Sequence, residues 1–156
     1  MKQAPGLGEL LRYVGELVEA GADEHYRSLD LRYRARYTPV LRALGAGACT
    51  VTEITERTRL TQGAISQTVA LLAADGLIAR HALGDGRKTG IVLSASGRAL
   101  VDRLEQHWIA TFAAIEALEE EIGYPLRTAL EAAAEGLERQ GFGARLAATK
   151  AALTRK

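Results

Sequence analysis

The chain has 156 residues, 47% of them hydrophobic, a net charge of +1, a single cysteine and three histidines. That is enough for one domain with a real core, while a lone cysteine excludes an intrachain disulfide and a cysteine-built zinc cluster. No run approaches the roughly 18 uninterrupted apolar residues of a membrane span, and Glu9, Arg12 and Glu16 interrupt the opening stretch where a secretory signal would be apolar, so the expectation is a cytoplasmic protein without a membrane partner.

Taken in chain order, Leu7, Leu10, Leu11, Val14, Leu17 and Val18 recur at helical spacing between charged residues, which predicts an amphipathic helix over 7–20 that continues to about Arg27. In "RYRARYTPVLRALGAG" the residues Tyr33, Tyr37, Val40, Leu41 and Leu44 follow a helical pattern. Pro39 lies inside it, so a helix start near Thr38 or a kink is expected, with Gly45 and Gly47 as the stop.

Thr50 followed by Glu53 reads as a reciprocal capping box opening a short helix from about Val51 to Arg57. Thr61 can cap a second helix with Ile65, Val69 and Leu72 as its buried stripe and Gly76 as its end. Two short helices joined by a tight turn make a helix-turn-helix. "LIARHAL" and "KTGIVL" then predict two strands around the tip "GDGRKTG", and the hairpin assignment rests mainly on the glycines.

Ser94 is placed to cap a long helix over 95–122 with Leu100, Val101, Leu104, Trp108, Phe112, Ile115, Leu118 and Ile122 on one side, roughly 42 Å in length. Gly123 closes it. Pro125 begins a helix whose apolar face is Leu126, Leu130, Ala133, Ala134 and Leu137, and an Ala-rich helix over about 144–153 ends the chain. So long a helix as 95–122 implies partner helices, most economically from an identical chain. The fold class expected is therefore mainly α with a small β-hairpin wing. A winged helix-turn-helix over about 38–94 would be flanked by dimerisation helices over about 7–27 and 95–154, in one domain spanning 1–156.

The near-neutral total conceals an asymmetry. Residues 27–98 hold eleven Lys or Arg against five Asp or Glu, and the rest hold nine against fourteen, a distribution suited to a polyanionic partner or, on the other reading, to ordinary solvated faces. With Ile65, Val69 and Leu72 turned inward, Gly63, Ala64, Ser66, Gln67 and Ala70 face outward. That face is small, polar and free of acids; it fits either a solvent-exposed Ala-rich surface or close approach to a DNA groove. Gln67 can pair with adenine, Ser66 can contact base edges less selectively, and Thr61 and Gln62 at the helix start suit phosphate. Beside such a helix, Arg87 and Lys88 on a glycine-rich tip can reach a minor groove or the backbone.

Taken together, "YTPVLRAL", "TVTEITERTRLTQGAISQTVALLAADGLIAR" and "GDGRKTGIVLSASGR", in that order and spacing, resemble the MarR (multiple-antibiotic-resistance regulator) family of winged-helix transcription factors over about residues 7–140. The resemblance implies that Arg87 enters the minor groove with Asp85 orienting it, although Asp85 also fits an ordinary turn. It implies a homodimer that binds double-stranded DNA at a pseudo-palindrome with half-sites about 10 to 10.5 base pairs apart. It also implies a crevice for a small aromatic ligand, for which Tyr33, Tyr37, His107 and Trp108 are the candidate lining residues, with plain packing the more ordinary reading of each. Thr55 and Gly63 depart from the family pattern, and Gly63 makes base preference harder to read.

Cys49 lies away from the first helix, where some relatives sense oxidants, and reads as an inert thiol. His25, His81 and His107 have no ligand spacing or nucleophile beside them, and the glycines at 84, 86 and 90 sit in a hairpin with no helix behind it. Catalysis, metal and cofactor are therefore not expected. The reading favoured is a ligand-responsive repressor; a winged-helix module that dimerises without reading DNA, and a small-molecule carrier, are the alternatives.

Overall fold

The computed structural model describes residues 4–29, 33–84 and 89–154. They form α1 (Leu7–Ser28), a 3-10 turn (Ala35–Tyr37), α2 (Thr38–Gly45), α3 (Val51–Arg57), α4 (Gln62–Ala74), β1 (Ile78–Ala82), β2 (Thr89–Leu93), α5 (Ala95–Ile122), α6 (Leu126–Arg139) and α7 (Phe142–Thr154). This is the mainly helical, winged-helix architecture anticipated from the sequence. The chain divides into two compact units, one ending at Trp108 and the other beginning at Ile109.

In the first unit the core is built from Val40, Leu41 and Leu44 of α2, Ile54 of α3, Ile65, Val69 and Leu72 of α4, Ile78 and Ile91 of the hairpin, and Val101, Leu104 and Trp108 of α5. α2 and α4 contribute the aliphatic positions their spacing marked out and α5 the first part of its stripe, whereas the predicted stripe of α1 from Leu7 to Val18 is exposed. The strands pair antiparallel with Ile78 opposite Leu93 and Ala82 opposite Thr89. The N–H of Ile91 also donates to the carbonyl of Cys49 at 2.8 Å, so the outer edge of β2 is tied to the segment that leads into α3.

Local chemistry accounts for the boundaries. Thr50 Oγ1 accepts from Glu53 N at 3.1 Å, and the Glu53 carboxylate accepts from the N–H of Cys49 at 2.7 Å as well as from the backbone of Thr50, the return contact of a capping box. Thr61 Oγ1 caps α4 through Ala64 N at 3.2 Å. Ser94 ties the turn between α4 and β1 to the start of α5. Its N–H donates to Leu77 O at 3.0 Å, its hydroxyl donates to Gly76 O at 2.7 Å, and the same oxygen accepts from Gly97 N at 3.0 Å as α5 begins.

Two expectations shift. Tyr33 and Tyr37 do not lie on the helix that follows them: Tyr33 precedes the 3-10 turn and Tyr37 ends it, and α2 starts at Thr38 with Pro39 in its first turn. Proline is accommodated there because the first helical N–H groups have no intrahelical acceptor to lose. Pro125 caps α6 from outside instead of opening it.

In the second unit, Gly123 takes φ +68°, the left-handed conformation that glycine adopts at a helix end without steric cost. Arg127 lies over the Phe112 ring at 5.3 Å and its N–H donates to Glu119 Oε1 at 2.6 Å. Arg145 donates to Gly136 O at 2.7 Å and to Gln140 O at 3.0 Å, joining α7 to the end of α6. Among the described residues no helix is long and apolar enough to cross a membrane.

Candidate nucleic-acid interface

The candidate surface is the outer side of α4 with the hairpin beside it. Burial of Ile65, Val69 and Leu72 leaves Thr61, Gln62, Gly63, Ser66, Gln67 and Ala70 exposed and Ala64 half-buried. Thr68, which a wheel drawn from three aliphatic residues overlooks, is also buried and returns its hydroxyl to Ala64 O at 3.0 Å. Four residues of α4 are therefore buried, while Gln62, Gly63, Ser66, Gln67, Ala70 and Ala74 are exposed. No side chain from Gln62 to Ala74 is acidic, and the free N–H groups of the first turn point outward beside Gln62 and Gly63, where anions are favoured.

Gly63 has open space where a Cβ would stand, so nothing within this chain demands glycine there. Gly90 differs. A Cβ on it would collide with the imidazole of His81, its cross-strand partner, so the histidine ring lies flat over the strand at the base of the wing. Arg80 and His81 on β1 are exposed. The tip residues Asp85, Arg87 and Lys88, which carry the wing assignment, lie outside the described residues.

Two basic residues that spacing did not single out flank the turn before α4. Arg57 Nη1 donates to Ala46 O at 2.6 Å, which fixes the end of α3 to the end of α2, and Arg59 is exposed in the turn itself. Their signal in the sequence is only two arginines two positions apart, just before a capped helix.

The aromatic residues proposed for a ligand crevice form a packed cluster. Tyr33, Tyr37 and Trp108 are buried and His107 is half-buried. Trp108 Nε1 donates to Tyr33 Oη at 3.1 Å, and Tyr33 also pairs with Thr38 Oγ1. The Tyr33 ring meets Tyr26 edge-on at 4.4 Å and Tyr37 at 6.2 Å. His107 stands 5.6 Å from the ring of His25. Burial pushes the Tyr33 hydroxyl up to about 12, against the smaller opposing effect of its hydrogen bonds to Thr38 and Trp108.

Cys49 is half-buried. Its thiol is pushed upward, first by its hydrogen bond to the Glu53 carboxylate and then by burial, which disfavours the thiolate that nucleophilic or redox chemistry requires. Among the described residues no three His, Cys, Asp or Glu side chains gather as a metal site would.

Residues 33–88 match the sequence model of the MarR family. No curated protein matches by overall sequence. Solved structures do match in fold. The MepR–DNA complex of S. aureus is 20% identical with a TM-score of 0.67 over 86% of this chain and 100% of that one. A MarR-family transcriptional regulator from Silicibacter pomeroyi DSS-3 is 24% identical, with a TM-score of 0.61 over 84% and 94%. BpsR of Bordetella bronchiseptica, whose DNA binding is regulated by 6-hydroxynicotinic acid, is 26% identical with a TM-score of 0.57 over 79% and 96%. With α2, α3, α4 and β1 inside the matched residues 33–88 and the helices on either side similar in fold, the chain is similar to the MarR-family winged-helix proteins.

Proposed function

We propose that this protein is a homodimeric, sequence-specific DNA-binding repressor whose affinity for a pseudo-palindromic operator is lowered by a small aromatic ligand. The observation that carries the reading is the exposed, acid-free side of α4, capped by Thr61. Base edges can be met by Gln67 and Ser66 and phosphates by Thr61, Gln62 and the first-turn N–H groups. Gly63 and Ala64 keep the helix slim enough to seat in a major groove. Arg59 adds a positive charge in the turn before α4, and Arg87 and Lys88 supply the wing.

The dimer is supported by uncovered apolar side chains: Leu7, Leu10, Leu11, Val14, Leu17 and Val18 on α1 in one unit, and Leu137, Phe142, Leu146 and Leu153 in the other. Contiguous exposure of this kind marks an association surface. Ligand response rests on the likeness to BpsR, and it requires that the ligand favour a dimer geometry other than the DNA-bound one.

The deciding experiment is selection of bound duplexes from a random pool, then affinity for the winner across a salt series. An enriched inverted repeat with a steep salt slope supports the proposal. Weak binding that vanishes near physiological salt, with no enriched sequence, would transfer the function to dimerisation alone.

A further inference from the structure

The far end of α4 carries an arrangement that the DNA-reading surface does not use. Asp75 closes the helix, and its own N–H is satisfied by Leu71 O at 2.9 Å. A carboxylate at this position opposes the partial negative charge of a helix C-terminus, so the residue is unfavourable for the helix alone. Its compensation comes from 38 positions away, where the Tyr37 hydroxyl donates to Asp75 Oδ2 at 2.9 Å. The Tyr37 ring is 1% exposed and packs edge-on to Tyr33, which is itself held by Thr38 and Trp108. The hydroxyl that meets Asp75 therefore sits on a ring that has nowhere to move.

We propose that Tyr37 is a positioning residue for the recognition helix, acting through Asp75 to set the tilt at which α4 presents Ser66 and Gln67; the proposal rests on the DNA-binding reading. The reasoning is one of leverage. α4 has 13 residues, and Ser66 and Gln67 stand nine and eight residues before Asp75, about 13 Å along the axis at 1.5 Å per residue. A tilt of about 5° at Asp75 displaces them by about 1 Å, enough to spoil a base-edge hydrogen bond whose useful range is only about 0.5 Å. General affinity rests on the charged, flexible side chains of Arg59, Arg87 and Lys88, which tolerate such a shift, more than on the uncharged phosphate contacts of Thr61 and Gln62. Loss of the strut thus removes discrimination between sequences and leaves general DNA affinity in place.

The test combines two measurements on the full-length chain carrying Tyr37→Phe, Asp75→Ala, Asp75→Asn or the Tyr37→Phe/Asp75→Ala pair. The first is hydrogen exchange at the Leu72 and Asp75 amides of the free protein, which needs no DNA. The second is affinity for the selected duplex and for a scrambled one. Tyr37→Phe and Asp75→Ala are each expected to speed exchange at those amides and to lower specific affinity about five- to tenfold, with scrambled-duplex affinity within about twofold of wild type. The pair should lose no more than either single change, and Asp75→Asn, which keeps an acceptor oxygen, should restore the wild-type values. Unchanged exchange in Tyr37→Phe overturns the strut whatever the DNA result. Equal losses on both duplexes, or additive losses in the pair, overturn the positioning role. A wild-type chain that selects no sequence overturns the DNA-binding reading and this role with it, while its exchange data still report whether the strut exists.

Discussion

Tyr33 shows how much one hydroxyl can hold together. It satisfies the indole N–H of Trp108 and pairs with Thr38, so Tyr33→Phe is expected to cost about 1–3 kcal/mol, chiefly by leaving a buried donor without an acceptor; urea denaturation measures it. The same residue predicts a pH dependence. Because burial raises the folded-state pKa from 10.0 to about 12, an unfolded chain ionises this tyrosine first. Its contribution is complete below pH 10 and is lost as the pH rises towards 12. Denaturation midpoints should fall across that window in the wild type and fall less in Tyr33→Phe. On the functional side, Arg87→Ala should weaken operator affinity by about 1–3 kcal/mol and leave the oligomeric mass unchanged, as fluorescence anisotropy and sedimentation would report. The exposed side of α4 and the hairpin beside it were legible in the sequence because a cap, three aliphatic positions and a cluster of glycines are local signals. The Tyr33–Trp108 and Tyr37–Asp75 partnerships were not, since residues 75 and 38 positions apart leave no mark on any local pattern.

At the scale of elements, α4 shows a tension between making a good helix and reaching a groove. Gly63 lies in its first turn with open space where a methyl group would stand. Gly63→Ala should therefore stabilise the free protein by up to about 1 kcal/mol through helix propensity, yet reduce specific DNA affinity if the backbone at this point lies against the duplex. Thermal melts and duplex titrations of one variant separate the two effects; a gain in both would place Gly63 away from the groove. The start of α5 is constrained in the opposite sense. A Cβ at Gly97 would run into the carbonyl oxygen of Leu77 and crowd Leu93, so Gly97→Ala is expected to cost about 1–3 kcal/mol by overpacking, measurable by the same denaturation. Spacing, caps and composition together placed each α-helix, α3 and α5 to the residue. Spacing failed at Tyr33 and Tyr37 because two tyrosines four apart mimic a helical stripe, whereas their segment runs extended at Arg34 (φ −119°, ψ 138°) before a single 3-10 turn.

For the whole molecule, the uncovered apolar side chains of α1 make the proposed association testable. Leu17, on the exposed side of α1, is 56% accessible in the single chain. If the homodimer buries it, Leu17→Glu should convert a dimer to a monomer in sedimentation and weaken operator binding by far more than any single contact does, because two half-sites are then no longer read by one particle. A wild-type chain that sediments as a monomer, or a Leu17→Glu variant that stays dimeric, would place the interface elsewhere.

The fastening around Ser94 has a consequence for how such a protein can diverge. Leu77, Gly76, Ser94 and Gly97 are tied together beneath the hairpin, so the positions of α4 and α5 are settled below the level at which the wing leaves the body. Residues inserted or deleted between Ala82 and Thr89 would lengthen or shorten the wing without disturbing either helix. Reach and aim are thereby separate variables: one can drift with the spacing and flexibility of the target DNA while the other stays constant.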